Sequence, residues 1–204
     1  MFSENKTDSI VGFPAEDFGL TTSLKGLIVG NRVPKDYFVT KGKGESDITI
    51  HAGSYHLALK DAGIEMANIM TYSSILPGIA NEIPRPAHIT HGAVMETITA
   101  TGNCRKGERV SAGIIWGWLH DRMTGQKYGG LVCEHYGDYS GEAIEKLLRR
   151  SLEELYVNGF EERFEFGEIK VVTETCAPVK EYGTALVALC FTDYYYPVLD
   201  YVRN

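Results

Sequence analysis

The sequence has little positive charge and no long hydrophobic run, and each absence excludes a class of protein. Its 204 residues include 20 lysines and arginines against 27 acidic residues, which gives a formal net charge of −7 at pH 7. Proteins that bind nucleic acid need clustered positive charge to contact phosphates, so we expect no nucleic-acid partner. A membrane-spanning helix needs a run of about 18 apolar residues, and the sequence contains none. Residues 1–8 lack the basic-then-apolar order of a signal peptide, so we expect a cytoplasmic protein.

The pattern of cysteine and histidine predicts no metal site. No two cysteines form a C-x-x-C pair, and all are widely spaced, at Cys104, Cys133, Cys176 and Cys190. Three of them lie in apolar, strand-like runs, where cysteine usually behaves as a small hydrophobic residue. The histidines His88 and His91 are three residues apart, but the histidines that follow them are irregularly spaced and match no common set of zinc ligands.

Two motifs of common protein classes are absent as well. The polar, glycine-rich segment Lys41–Asp47 lacks the G-K-[S/T] ending of a phosphate-binding loop, which argues against nucleotide binding. No serine lies in a G-x-S-x-G sequence, which argues against the nucleophile elbow of an α/β-hydrolase. The sequence therefore predicts neither a nucleotide-binding protein nor a Ser-His-Asp hydrolase.

Alternating apolar and β-branched residues predict a protein built mainly of β-strands. A short strand is expected at Gly26–Val29 and another at Tyr37–Thr40, followed by a polar glycine loop over Lys41–Asp47. Further strands are predicted at Ala67–Ser74, Gly92–Thr101, Arg109–Leu119, Lys127–Tyr136, Glu168–Thr175 and Thr184–Tyr195. Gly107 and residues 123–126 are expected to form turns between them.

Two segments have the periodicity of helices. The first is Ser54–Ala62, which Gly63 closes as a C-cap. The second is Gly141–Asn158, with Ser140 as its N-cap. Two helices and roughly seven strands predict helices packed on sheets, an α+β layered sandwich. Residues 1–32 show no strong period, and we interpret them as an N-terminal arm that precedes one domain of residues 33–204.

The most informative segment is Ala67–Gly78, a strand-like run that contains two adjacent serines. Ser73 and Ser74 stand near its end and are followed by Ile-Leu-Pro-Gly. Two serines alone are typical of a solvated strand end. With Asn68 six positions before Ser74, however, the segment resembles the self-cleavage site of the pyruvoyl-dependent arginine decarboxylase family.

The resemblance extends over residues 37–192 and keeps the order and spacing of several other segments. These are the glycine-rich Gly42–Asp47, Leu57–Ile64, Asn68–Pro77, His91–Val94, Gly129–Glu134 and Tyr182–Leu186. The resemblance implies an αββα four-layer sandwich that cleaves itself into two chains. It also implies a homo-oligomer, a trimer or a pair of trimers forming a hexamer, with sites between neighbouring subunits.

The resemblance assigns a role to each matching residue. Ser74 is expected to become the covalent pyruvoyl cofactor, and Ser73 the new C-terminus of the upstream chain. The amide of Asn68 is expected to assist cleavage, and Glu134 to protonate the decarboxylated intermediate. The substrate amine would form a Schiff base on the pyruvoyl ketone, which accepts the electrons released with CO₂. With arginine as the substrate, the product is agmatine, which implies polyamine biosynthesis. Glu134→Gln is then expected to self-cleave but to decarboxylate poorly.

One position departs from the family pattern. Members of the family commonly carry an aspartate that pairs with the substrate guanidinium, and the corresponding residue here is His56. A carboxylate binds a guanidinium through two charge-assisted hydrogen bonds, which an imidazole cannot form. Asp47, Glu45 and Asp61 are candidates for the missing charge, and the predicted substrate-binding residues are His56 and Asp47. Two alternatives stay open, namely a decarboxylase for another amino acid and an unprocessed homologue that acts as a binding or regulatory subunit.

Overall fold

The computed structural model describes residues 27–201, and for Leu27, Ile28, Asp200 and Tyr201 it describes the backbone alone. Most of the predicted N-terminal arm, residues 1–32, therefore lies outside the described residues. The described residues fall into two compact units, of which one is Pro34–Tyr194 and the other contains the residues before and after it. No helix among the described residues has the length and the hydrophobicity that crossing a membrane requires.

The smaller unit contains a two-stranded antiparallel sheet. Its strands are β1 (Leu27–Val29) and β11 (Val198–Tyr201). Leu27 pairs with Tyr201, and the register shifts between Ile28 and Val29. The first strand predicted from the sequence is thus confirmed within one residue.

The larger unit contains two sheets. The remaining strands are β2 (Val33–Ser46), β3 (Asn68–Thr71), β4 (Ile75–Pro77), β5 (Asn81–Glu82), β6 (Val94–Arg105), β7 (Val110–Asp121), β8 (Lys127–Gly137), β9 (Phe164–Cys176) and β10 (Tyr182–Tyr195). One sheet has five strands in the order β3-β6-β10-β2-β5, and the other has four in the order β4-β8-β7-β9. The long strands predicted after residue 92 are all confirmed, although β6 and β7 begin one or two residues later than predicted and β6 and β9 each extend four residues beyond the predicted bounds.

The two predicted helices are also present. Helix α2 (Gly141–Gly159) begins after Ser140, whose side chain accepts a hydrogen bond from the backbone N–H of Ala143 at 3.1 Å. Helix α1 (His56–Ala62) follows a π-helical segment, Ile50–Tyr55, and ends at Gly63 with a φ of +70°. Glycine adopts this left-handed conformation without the steric penalty that other residues carry.

Three hydrophobic clusters define the layers of the larger unit. One contains buried residues of both sheets, such as Ile114 of β7 and Leu189 of β10. A second joins α1 to the five-stranded sheet, and a third joins α2 to the four-stranded sheet. Successive residues of β7 alternate between clusters, since Ile114 belongs to the first and Ile115 to the third. The fold is therefore an α+β sandwich in which central strands are buried on both faces.

The predicted glycine loop at Lys41–Asp47 is wrong, because β2 continues without interruption to Ser46. A Cβ atom at Gly42 would lie 2.3 Å from the carbonyl oxygen of Ala58, and one at Gly44 would lie 2.3 Å from that of Ser54. The glycines therefore allow the helical segment to pack directly on the strand. Glycine inside a strand often marks such a close approach, and this contact is long-range in sequence.

Candidate active site

The serine pair lies where the chain passes from one sheet to the other. The backbone N–H of Tyr72 donates at 2.7 Å to the carbonyl of Thr97, which lies on β6 of the five-stranded sheet. The carbonyl of Ser74 accepts at 3.1 Å from the N–H of Val132, which lies on β8 of the four-stranded sheet. The predicted strand Ala67–Ser74 is thus too long, because the chain leaves β3 after Thr71 to change sheets. The peptide bond between the two serines connects segments that are anchored separately.

The side chain of Ser74 contacts a carboxylate. Its hydroxyl donates to Glu134 Oε2 at 2.9 Å and to Oε1 at 3.2 Å, and both residues are half-buried. Along β8, Val132 belongs to the cluster between the sheets and Cys133 to the cluster under α2. Glu134 therefore projects toward the space between the sheets, because side chains alternate along a strand. A carboxylate at this distance can accept the hydroxyl proton and activate the oxygen as a nucleophile.

Ser73 is exposed, and its carbonyl is oriented by the following turn. The carbonyl oxygen accepts a hydrogen bond from the backbone N–H of Ile75 at 3.1 Å. A hydrogen-bond donor on this oxygen polarises the carbonyl group of the peptide bond that joins the two serines. No residue type in the sequence marks this contact, because it joins two backbone groups.

Asn68 stands at the first position of β3 and is exposed. Its backbone N–H donates to the carbonyl of Ala93 at 2.8 Å, and its side-chain Nδ2 donates to the carbonyl of Gly92 at 3.0 Å. These contacts hold β3 against the start of β6. Among the hydrogen bonds of the described residues, none joins the Asn68 side chain to either serine.

His56 lies in a different layer from the serine pair. It begins α1, which packs on the face of the five-stranded sheet that is turned away from the other sheet. The exposed imidazole lines a groove of about 450 Å³ together with His51, Ala52, Tyr55 and Leu59. The rings of His51 and Tyr55 are 5.7 Å apart. Within one chain, this groove and the Ser74–Glu134 pair are thus on opposite faces of the five-stranded sheet.

The acidic residues near the predicted substrate site all bond to backbone groups. Asp47 Oδ1 accepts from the N–H of Glu181 at 3.4 Å, and its other oxygen is 4.0 Å from Lys180 Nζ. Glu45 Oε2 accepts from the N–H of Val179 at 2.8 Å. Asp61 Oδ2 accepts from the N–H of Lys43 at 3.0 Å. Of these, Asp47 has the longest backbone contact, and its side chain is exposed.

The described residues contain no group of three or more side chains that could hold a metal ion. The cysteines are poor nucleophiles as well, because burial raises the pKa of Cys133 to about 11 and that of Cys104 to about 11. The thiolate is the reactive form of cysteine, so these thiols are inert at neutral pH. The hydroxyl of Ser74, by contrast, lies beside a carboxylate that can act as a base.

The chain is similar in sequence to proteins of one known family. Residues 36–196 match the sequence profile of the family described as pyruvoyl-dependent arginine decarboxylase (PvlArgDC). The pyruvoyl-dependent arginine decarboxylase of Methanopyrus kandleri is 31% identical over 160 residues, which cover 78% of this chain and 97% of that protein. Pyruvoyl-dependent arginine decarboxylase 2 of Methanosarcina mazei is 34% identical over 132 residues, covering 59% of this chain and 69% of that protein. The pyruvoyl-dependent arginine decarboxylase of Thermococcus kodakarensis is 27% identical over 158 residues, which cover 76% of this chain and 93% of that protein.

Proposed function

The chain belongs to the pyruvoyl-dependent arginine decarboxylase family, and we propose that it cleaves itself between Ser73 and Ser74 and converts arginine to agmatine and CO₂. The contact between Ser74 and Glu134 is the observation that carries this proposal. An unprocessed homologue would have no need to keep a nucleophile and a base in contact. The comparisons offer no support for that alternative.

Self-cleavage begins when the Ser74 oxygen attacks the carbonyl carbon of Ser73. Glu134 accepts the hydroxyl proton, and the peptide nitrogen takes up a proton as its bond to carbon breaks, which leaves an ester. Loss of the proton from the Ser74 α-carbon then expels the ester oxygen. Ser73 is left with a carboxylate, and residue 74 becomes a dehydroalanine. Tautomerisation and hydrolysis by one water release ammonia and leave a ketone.

The surroundings of Ser74 fit a pyruvoyl group at this position. When formed, the group supplies a ketone that accepts the electrons released as CO₂ leaves. Residue 74 stays fixed by the hydrogen bond from Val132 to its carbonyl and by the pairing of Ile75 with Leu131. Glu134, which contacts the side chain of this residue, is placed to hold the proton that the substrate carbon takes up after CO₂ departs.

The strand order supports an assembly that survives the cut. The upstream chain would contribute β2 and β3 to the five-stranded sheet, and the downstream chain would contribute β5, β6 and β10. Strands of the two chains alternate in that sheet, since β2 lies between β10 and β5. We therefore expect the two chains to stay together under native conditions.

Substrate binding by His56 and Asp47 is part of this proposal. Because the groove at His56 and the Ser74–Glu134 pair lie on opposite faces of a sheet, His56 can serve the reaction only from a neighbouring subunit. This requirement agrees with the trimer or hexamer that the resemblance implies. We propose a cytoplasmic homo-oligomer that provides agmatine for polyamine biosynthesis.

Incubation with arginine labelled at its carboxyl carbon tests the activity. Labelled CO₂ and agmatine are the expected products, and Ser74→Ala should yield neither. Release of CO₂ from a different amino acid alone would assign a changed substrate. A cleaved protein that releases CO₂ from no amino acid would contradict the proposed activity.

A further inference from the structure

Glu96 is a buried carboxylate that the reaction set out above does not use. It lies near the start of β6 and is 4% exposed. Along this strand, Met95 belongs to the cluster that joins α1 to the sheet, whereas Ile98 and Ala100 belong to the cluster between the sheets. Because side chains alternate along a strand, Glu96 projects on the same side as Ile98, into the space between the sheets. Glu134 projects into that space from the opposite sheet.

The strand pairing places Glu96 beside the segment that leads to the serine pair. In the parallel register of β3 and β6, Glu96 pairs with Met70. Two residues later, the N–H of Tyr72 donates to the carbonyl of Thr97 at 2.7 Å. Ser74 follows Tyr72 by two residues, which span at most about 7 Å. An extended arginine side chain has a similar length, so the guanidinium of a substrate whose α-amine is bound at residue 74 can reach Glu96.

Two aromatic rings lie on the same side of the sheet as Glu96. The ring centroids of Tyr72 and Phe191 are 6.2 Å apart. Phe191 belongs to the cluster between the sheets, and Tyr72 packs against that cluster. Phe191 follows Cys190, which pairs with Thr97, so its ring lies at the level of Glu96. A guanidinium stacks on aromatic faces and pairs with a carboxylate through two hydrogen bonds, and this part of the sheet offers both.

The edge of the sandwich offers an entry to this space. Met70 pairs with Glu96 and therefore projects on the same side of the sheet, but it is 53% exposed. β3 is an edge strand of the five-stranded sheet, β4 is an edge strand of the four-stranded sheet, and the chain crosses from one to the other at the serine pair. A substrate can therefore enter between the two edge strands with its side chain directed toward Glu96.

We propose that Glu96 binds the guanidinium of the substrate and sets the preference for arginine. The proposal rests on the decarboxylation set out above, and it names a carboxylate, in addition to Asp47, for the charge that His56 does not supply. Glu96 lies in the same chain as Ser74, whereas His56 can serve the reaction only from a neighbouring subunit. The other acidic candidates accept hydrogen bonds from backbone N–H groups, namely Asp47, Glu45 and Asp61.

Glu96→Gln tests the proposal, because it removes the charge and keeps the size of the side chain. We expect KM for arginine to rise about 10–100-fold through the loss of charge-assisted hydrogen bonds, with a smaller change in kcat. Citrulline carries a neutral ureido group in place of the guanidinium, so its inhibition constant as a competitor of arginine should change less than about twofold. Glu82→Gln removes the same charge from the opposite edge of the sheet and, as the control, should keep the wild-type KM.

Glu96→Asp gives a second test, which does not depend on the folding of the first variant. It keeps the charge but draws it back by one methylene, so the preference in kcat/KM should move from arginine toward homoarginine, whose side chain is one methylene longer. Self-cleavage into chains 1–73 and 74–204 reports that each variant has folded. An unchanged KM for arginine in Glu96→Gln, equal weakening of arginine and citrulline, or no shift toward homoarginine in Glu96→Asp would overturn the proposal. A wild-type protein that releases no CO₂ from arginine would instead refute the proposed function.

Discussion

The hydroxyl of Ser74 donates to the carboxylate of Glu134 at 2.9 Å, although the two residues are 60 positions apart in sequence. The pairing of β4 with β8 brings them together, since Val132 bonds to the Ser74 carbonyl two residues before Glu134. A serine with a carboxylate as its main side-chain partner can lose its proton during attack on a neighbouring carbonyl. We therefore propose that Glu134 acts in self-cleavage as well as in the later donation of a proton.

Glu134→Gln should slow both reactions, which differs from the expectation that this variant still cleaves itself. A glutamine oxygen can accept the Ser74 hydrogen bond but does not take its proton. Loss of a positioned base typically costs about 10²–10⁴-fold in rate. The appearance of chain 1–73 by mass spectrometry measures the first reaction, and CO₂ release from any cleaved protein measures the second.

Glu174→Gln is the matched control for this experiment, because Glu174 is a half-buried carboxylate on another strand that pairs with Lys41. It should cleave and decarboxylate normally. Cleavage of Glu134→Gln at the wild-type rate would remove Glu134 from the processing step and leave only its role with the substrate.

His56→Asp should tighten the binding of arginine without affecting self-cleavage. The substitution restores a carboxylate that can bind a guanidinium through two charge-assisted hydrogen bonds, each worth about 1.5–3 kcal/mol. We expect KM for arginine to fall at least about tenfold while kcat changes little. His51→Asp is the control, because His51 lines the same groove. An unchanged KM for arginine in His56→Asp would exclude His56 from the arginine site.

Gly44→Ala should destabilise the fold through contact with the helical segment. The added Cβ would lie 2.3 Å from the carbonyl of Ser54 and 2.5 Å from the nitrogen of Ala58. Backbone atoms cannot move aside as a flexible side chain can, so we expect a loss of about 1–3 kcal/mol in the free energy of unfolding. Gly141→Ala, whose Cβ would contact nothing within 4 Å, should leave the urea midpoint unchanged or slightly higher. Equal midpoints for both variants would contradict this explanation of the glycines in β2.

The protein should lose stability at alkaline pH as its buried thiols ionise in the unfolded state. Burial raises the pKa of Cys133 from 9.0 to about 11, so the folded state binds this proton more tightly than the unfolded state. The resulting stabilisation is complete below about pH 9 and is lost as the pH rises toward 11. Urea unfolding between about pH 8 and pH 10.5 should therefore show a shallower decline for Cys133→Ala than for the wild type. Parallel curves would exclude this thiol as a source of the decline.

Local sequence patterns predicted the elements whose structure depends on local periodicity. Helix α2 and the strands β7 and β8 follow such patterns, and their predicted bounds agree with the structure to within two residues. The glycines of β2 gave the wrong prediction, because the reason for them is a contact with a helical segment that follows later in the chain. Sequence periodicity carries no information about such a contact.

In the candidate site too, the sequence identified some residues but not the contacts that depend on the fold. Family resemblance named Ser74 and Glu134, but their contact depends on strand pairing that only the folded chain shows. The hydrogen bond from Ile75 to Ser73 joins two backbone groups, which every residue except proline carries, so no residue type marks it. The sequence also did not show that His56 and Ser74 lie in different layers.

Intact mass of the freshly purified protein, with and without phenylhydrazine, shows whether the chain cleaves itself between Ser73 and Ser74. We expect two chains, residues 1–73 and 74–204, with the phenylhydrazine adduct on the second chain only. Ser74→Ala should give a single full-length chain that forms no adduct. A wild-type chain that stays intact and unreactive after long incubation, or a Ser74→Ala chain cut at the same bond, would contradict the self-cleavage mechanism.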